Sequence, residues 1–91
     1  GANAVMELAK IVEHKLKEKA LNDESFKKKP MLHNLLEHAV NCNWINKRQY
    51  ENGLLLKEVR NKYAHELDVN EESRNIGMSI FAGVDLIYTI L

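Results

Sequence analysis

The run Leu54-Leu55-Leu56-Lys57-Glu58-Val59-Arg60-Asn61-Lys62-Tyr63-Ala64-His65 distributes apolar and polar side chains at the spacing of a helix. At about 100° per residue, one side of that helix collects the apolar stripe expected to face a core, namely Leu55, Leu56, Val59, Tyr63 and Leu67. Asn61 and His65 have i, i+4 spacing, so they lie one above the other on the opposite side. The run therefore predicts an amphipathic helix with a polar group of side chains turned away from the chain's own core.

The polar side of this helix holds side chains suited to chemistry on a phosphate. His65 can transfer protons near neutral pH, Asn61 can orient its ring, and Arg60 offers a forked donor for phosphate oxygens. Arg60 lies about 140° from His65 around the helix, so the two do not form a tight pair within one chain. Leu54 and Ala64 share the outer face with Asn61 and His65. A polar cluster edged by apolar residues indicates a surface that meets another molecule.

The motif Arg60-Asn61-x-x-Ala64-His65, followed by an acidic helix start at Asn70-Glu71-Glu72, resembles the HEPN superfamily (higher eukaryotes and prokaryotes nucleotide-binding domain). The segment from Met31 to Asn46 is similar to the helix and turn that precede this motif in prokaryotic members. Those members include small helical domains attached to restriction and abortive-infection proteins. The likeness covers residues 31 to about 91.

The resemblance implies an endoribonuclease that works without a metal ion, leaves a 2′,3′-cyclic phosphate and places its motif across a dimer interface. Many such proteins are toxins or antiviral effectors. The catalytic residues would be Arg60, Asn61 and His65. RNA cleavage without a metal needs a base, an acid and positive charge at the phosphate, and a symmetric dimer would supply two copies of each group. The expected partners are RNA, a second copy, and an antitoxin or the remaining domains of a parent protein.

A structural role for the same side chains is the alternative. Arg60 could pair with Glu37 or Glu66, and His65 could cap the end of its helix. Many HEPN-like domains are similar in fold yet act as interaction or ligand-binding parts, since fold does not determine function. On this interpretation the chain is a noncatalytic dimerisation or partner-binding domain of a larger protein.

The composition is that of one small globular domain spanning residues 1–91, with 45% hydrophobic and 29% charged residues. Its 13 basic and 13 acidic side chains cancel, so the chain lacks the overall basic field that attracts nucleic acid, and RNA contacts have to be local. The lysines expected to make them are Lys27, Lys28, Lys29, Lys57 and Lys62. Because the chain starts with Gly1 instead of Met, we expect an excised domain or a processed start.

Two amphipathic segments open the chain. Residues 3–21 predict the first helix, because apolar residues recur there every three or four positions: Val5, Leu8, Val12, Leu16 and Ala20. Pro30 suits the first turn of the second helix, where a missing N–H costs nothing, and the apolar pattern continues from Met31 through about Asn41. Trp44 is predicted to close the end of the bundle.

The third helix is predicted to begin at Lys47, because Asn46 and Gln49 have the spacing of a capping box. It runs to about Glu66, with Gly53 as a weak point within it. Together with a fourth helix, these segments predict an all-α fold, an antiparallel up-down four-helix bundle of the HEPN type joined by short turns.

From Ile76 to Leu91 the chain is almost continuously apolar, with Asp85 as the only charge. This length is too short to span a bilayer comfortably, so we expect a buried helix and no membrane partner. The predicted core stripe is Ile76, Ile80, Val84, Ile87 and Leu91, with Met78, Phe81, Leu86 and Tyr88 outside it. A helix that is apolar on more than one side needs more than one partner, so Phe81 joins Leu54 as a predicted dimer contact, together with Ala64.

The sequence predicts neither a cofactor nor a metal ion. His33 and Glu37 have the i, i+4 spacing of two ligands, but no third ligand follows at a fixed offset. Cys42 is the only cysteine, which excludes an internal disulfide and fits a reducing cytosol, so a cytoplasmic location is expected. The sequence pairs no Ser or Cys with a plausible nearby base.

Overall fold

Four α-helices make up the described chain. The computed structural model describes residues 2–65 and 73–90, and the side chains of residues 4–62 and 77–90. The helices are α1 (Ala2–Leu21), α2 (Leu32–Asn41), α3 (Lys47–His65) and α4 (Ser73–Ile90). The described ranges contain no strand, so the all-α prediction is confirmed for them. None of these four helices is long and apolar enough to cross a membrane.

The helices α1 and α3 pack on each other between α2 and α4. α2 and α4 each pack on both of them, and within the described ranges α2 and α4 do not contact one another. The buried core draws on every helix: Val5, Ala9, Val12, Leu16, Ala20, Leu32, Leu35, Leu36, Ala39, Ile45, Leu56, Val59, Leu86 and Ile90. The stripe predicted for α1 is confirmed except at Leu8, which is only half-buried, and Ala9 is buried beside it.

The second helix begins later than its sequence suggests. Pro30 was expected in its first turn, but α2 starts at Leu32 and Met31 precedes it in an extended conformation, with φ −90° and ψ 151°. The Met31 N–H donates to the carbonyl of Lys29 at 2.8 Å, so the chain turns sharply there before the helix starts. Met31 therefore lies outside the helical stripe predicted for it, and 58% of the residue is exposed.

The turn between α2 and α3 follows its predicted chemistry. Asn43 has a φ of 60°, a left-handed conformation that asparagine tolerates at the end of a helix. The Asn46 N–H donates to Gln49 Oε1 at 2.9 Å and the Gln49 N–H donates to Asn46 Oδ1 at 2.8 Å, which confirms the capping box and the start of α3 at Lys47. Trp44 packs against the core, as predicted for a plug.

The core-facing side of α4 differs from the predicted stripe. The buried residues of this helix are Ser79, Ala82, Gly83, Leu86 and Ile90, whereas Val84 is 40% exposed and Ile80 and Ile87 are half-buried. On a helical wheel this side is turned by about 100° from the predicted one. The physical reason is close approach, because small residues let α4 come nearer to α1 than large apolar side chains would. Ile76 and Leu91, the ends of the predicted stripe, lie outside the described side chains.

Candidate functional site

Arg60 is held by α1. It lies near the end of α3, and its Nη1 donates to Glu13 Oε2 at 2.8 Å, with 23% and 34% of the two side chains exposed. Its Nη2 donates to Asn61 Oδ1 at 3.4 Å. The sequence suggested Glu37 or Glu66 as the partner of Arg60. Glu37 instead contacts Lys28 and His33, and Glu66 lies outside the described residues. Sequence reasoning missed Glu13 because the alignment of α1 with α3 depends on tertiary packing.

Two of the three predicted catalytic residues, Arg60 and Asn61, have described side chains. Arg60 and Asn61 are half-buried and in contact. His65 is the last residue of α3, and its side chain lies outside the described ones, as does that of Ala64. The predicted acidic helix start at Asn70-Glu71-Glu72 also lies outside the described residues. The role of His65 stays a prediction.

The predicted RNA-binding lysines divide between two places: Lys27, Lys28 and Lys29 on the connection formed by residues 22–31, and Lys57 and Lys62 on α3. Lys28 Nζ donates to Glu37 Oε1 at 2.8 Å, and this bond, with the lysine charge, holds the pKa of Glu37 below its ordinary value. His33 Nε2 lies 3.7 Å from Glu37 Oε2. The pair considered from the sequence as two metal ligands therefore shares its carboxylate with a lysine.

The three predicted dimer contacts are placed differently. Phe81 is 67% exposed on α4, whereas Leu54 is half-buried and packs against the core. The exposed apolar residues of α4 share one face about 120° wide, opposite its buried side: Met78, Phe81, Val84 and Tyr88. A shallow groove beside this face is lined from α3 by Arg48 and Asn52. Of the residues predicted to lie outside the core stripe of α4, Met78, Phe81 and Tyr88 are exposed, whereas the prediction is wrong for Leu86, which is fully buried.

A second cluster of reactive side chains lies where the 22–31 connection meets the end of α2. His38 Nε2 is 2.8 Å from Asp23 Oδ2 and 3.4 Å from Cys42 Sγ, and Cys42 Sγ is 3.8 Å from the same Asp23 oxygen. From the sequence, no Cys was expected to have a base nearby. This expectation is wrong, because an imidazole nitrogen of His38 lies beside the Cys42 thiol. The i, i+4 spacing of His38 and Cys42 was visible in the sequence. The position of Asp23 beside them was not visible in the sequence, because only the path of the 22–31 connection brings it close to His38.

The electrostatics of this cluster keep the thiol protonated. Hydrogen bonds from His38, then from the Ser25 hydroxyl and the Ser25 N–H, lower the pKa of Asp23 from 3.8 to about 2. Burial, followed by the negative charge of Asp23, raises the pKa of the Cys42 thiol. Because the ionised carboxylate is only an acceptor, the His38 Nε2–H donates to it and this nitrogen is not free to take the thiol proton. The cluster is therefore not an activated nucleophile.

Comparisons of the chain with protein-family models, with curated proteins and with solved structures found no match.

Proposed function

We propose that this chain is a HEPN-type endoribonuclease domain, an up-down four-helix bundle that cleaves RNA without a metal ion at a site completed by a second copy. The observation that supports the proposal is the fixed position of the Arg60 guanidinium, which donates to Glu13 Oε2 of α1 at 2.8 Å and to Asn61 Oδ1 at 3.4 Å. Both side chains lie on α3, the helix that also contains His65.

The roles of these side chains follow from the chemistry of phosphodiester cleavage. His65 of one copy takes the proton of the ribose 2′-OH, and His65 of the other copy protonates the leaving oxygen. Arg60 stabilises the charge that develops on the phosphate in the transition state. A guanidinium has five N–H donors, more than the bonds to Glu13 and Asn61 use, so it can bind phosphate oxygens while Glu13 keeps its position.

The outer face of α4 supports the dimer that this mechanism requires. Met78, Phe81, Val84 and Tyr88 expose apolar surface on one side of a helix that already buries its other side against α1 and α3. A second copy would remove this surface from water, which is favourable by about 25 cal/mol per Å². The mechanism further requires that this symmetric contact bring two copies of Arg60 and His65 to one cleft.

The resemblance to the HEPN superfamily also supports a biological setting. A role in a toxin or antiviral defence system would make an antitoxin or other domains of a parent protein the natural partners, in the cytoplasm. The lysines of the connection and of α3 would then supply local phosphate contacts, since the chain has no net charge.

The test is cleavage of a mixed RNA pool in EDTA, followed by analysis of the product ends. We expect the wild-type chain to leave 2′,3′-cyclic phosphates, and His65→Ala and Arg60→Ala each to lower the rate at least about 100-fold. His33→Ala and Lys47→Ala are controls, because both residues are exposed on helices and neither lines the groove beside the α4 face. Circular dichroism in the same buffer checks that each variant keeps its helices.

The competing function is a noncatalytic dimerisation or partner-binding domain. The ion pair favours it, because Glu13 already neutralises Arg60 within one chain. A well-folded wild-type chain that cuts no RNA, or a His65→Ala variant that cuts as fast as wild type, would overturn the ribonuclease proposal and leave this alternative.

A further inference from the structure

We propose that Asp23, His38 and Cys42 form a zinc-binding site that joins the 22–31 connection to the end of α2. Their donor atoms are one carboxylate oxygen, one imidazole nitrogen and one sulfur, within 4.8 Å of one another. This site is separate from the ribonuclease proposal, which uses no metal ion and other residues.

The spacing of the donor atoms matches one face of a zinc tetrahedron. Usual zinc bond lengths place pairs of such ligand atoms about 3.3–3.6 Å apart. The Cys42 sulfur lies 3.4 Å from His38 Nε2 and 3.8 Å from Asp23 Oδ2, so both distances are within a few tenths of an ångström of this range. The 2.8 Å separation of His38 Nε2 from Asp23 Oδ2 would have to open by about 0.5 Å.

The ligand set selects the kind of metal. A thiolate and an imidazole are typical ligands of zinc, whereas calcium and magnesium prefer oxygen ligands alone. Three protein ligands would leave a fourth position for water or another ligand. A surface cleft borders the site at His38, the one proposed ligand that lines it, and Phe26, Asn34 and Asn41 form other parts of its wall.

The orientation of His38 favours a metal site over a catalytic triad. In a triad the thiol and the carboxylate contact different nitrogens of the imidazole. Here both Asp23 and Cys42 contact the same nitrogen, Nε2. Without metal, the His38 Nε2–H and the Cys42 S–H both donate toward Asp23 Oδ2. Two hydrogens therefore lie between the three atoms that would bind the ion.

Zinc binding to these three side chains requires the loss of one proton and a change of one imidazole tautomer. The Cys42 thiol releases its proton to solvent and its sulfur binds the ion as a thiolate. A neutral His38 moves its proton from Nε2 to Nδ1, and the freed Nε2 lone pair binds the ion. Asp23 contributes a carboxylate that is already ionised.

Neighbouring residues hold the ligands in place. Asp23 Oδ1 accepts bonds from the Ser25 N–H at 3.0 Å and the Ser25 hydroxyl at 2.8 Å, which leaves Oδ2 facing His38. The His38 ring packs edge-on against Phe26 and Trp44, at centroid distances of 5.0 and 5.2 Å. Bonds that orient a carboxylate ligand and an apolar shell around the site are typical supports of bound metals.

The test is titration of chelator-treated chain with Zn²⁺ in competition with a chromophoric chelator. We expect one ion per chain with a Kd below about 1 µM, and binding weakened at least about 100-fold in Cys42→Ser and His38→Gln. His33→Gln is the matched control, since it removes an imidazole from the same helix, and it should bind as wild type does. Co²⁺ in place of Zn²⁺ should give wild-type chain the absorption of a thiolate-bound tetrahedral ion, a readout that needs no variant.

Two results would overturn the proposal. One is a wild-type Kd weaker than about 100 µM with no cobalt–thiolate absorption, which would make the cluster hydrogen-bonded only. The other is a Cys42→Ser variant, folded by circular dichroism, that binds Zn²⁺ as tightly as wild type. Neither result depends on RNA cleavage, so failure of this proposal is distinguishable from failure of the ribonuclease proposal.

Discussion

Asp23 is the residue on which the polar contacts of the 22–31 connection converge. It accepts bonds from Ser25 and His38, and the Cys42 thiol points toward it. Each of these contacts favours the charged carboxylate or depends on it. A single side chain in a loop therefore links the end of α1 to the end of α2.

Replacing Asp23 with Asn should change how stability depends on pH. The pKa of Asp23 is lowered from 3.8 to about 2 by folding, so its contribution is fully present above about pH 4 and is lost as the pH falls through about 2. We expect the difference in urea midpoint between wild type and Asp23→Asn to shrink as the pH falls from about 4 to 2. Urea unfolding of chelator-treated protein measures it. If the urea midpoints of wild type and Asp23→Asn ran in parallel between about pH 4 and 2, the lowered pKa of Asp23 would be contradicted.

Arg60 illustrates how one residue supports two interpretations. Its bond to Glu13 is only partly shielded from solvent, and such pairs contribute about 0–1 kcal/mol to stability. A role limited to that ion pair would therefore leave Arg60→Ala folded. This is why loss of RNA cleavage in a folded Arg60→Ala variant is informative.

At the scale of elements, close approach of helices occurs where side chains are missing. A Cβ added to Gly53 would lie 2.7 Å from Leu36 Cδ2, so α2 comes near α3 at the position predicted from sequence to be a weak point. A Cβ added to Gly83 would lie 3.0 Å from Leu8 Cβ, so α4 comes equally near α1. The helices tolerate glycine there because of the packing it permits.

Two glycine substitutions in α4 should have opposite effects. An added Cβ at Gly77 meets nothing within 4 Å, so Gly77→Ala should raise the free energy of unfolding by about 0.5–1 kcal/mol through helix propensity. Gly83→Ala gains the same propensity but forces α4 away from the Cβ of Leu8, and overpacking costs about 1–3 kcal/mol. We expect Gly83→Ala to lower the free energy of unfolding by about 1 kcal/mol in urea titrations. Equal stability of the two variants would contradict the close packing of α4 on α1.

At the scale of the whole molecule, the distribution of apolar surface is uneven. α1 and α3 are covered by α2 on one side and α4 on another, while the outer face of α4 has no cover among the described residues. Exposed apolar side chains scattered singly are ordinary, but four on one helical face are typical of an interaction surface.

Phe81→Glu should therefore weaken self-association. A charge in the middle of a buried apolar contact has to be desolvated without a partner, so we expect the dimer dissociation constant to rise at least about 100-fold. Leu21→Glu is the matched control, because Leu21 is 66% exposed and Phe81 is 67% exposed, on different helices. Sedimentation equilibrium of wild type and both variants measures the effect. A wild-type chain that stays monomeric, or equal association of all three, would contradict a dimer through α4.

Much of the local structure was predictable from the sequence alone. The four helices, the apolar stripe of α1 and the capping box of Asn46 and Gln49 depend on residues within one or two turns of each other. Arg60 and Asn61 were also predictable as close neighbours, because consecutive residues of one helix stay near each other whatever the fold. The late start of α2 at Leu32 was missed, since a turn at Lys29 and Met31 overrides the preference of Pro30.

Three features were decided only by the tertiary structure. Ser79, Ala82 and Gly83 face inward on α4 because small side chains let this helix pack close to α1. The apolar pattern of one helix does not encode this distance between two helices. Glu13 meets Arg60 because α1 and α3 align at that height. Asp23 reaches His38 because the 22–31 connection folds back on α2. Local sequence sets which residues share a helical face, and packing between helices sets which of those faces meet.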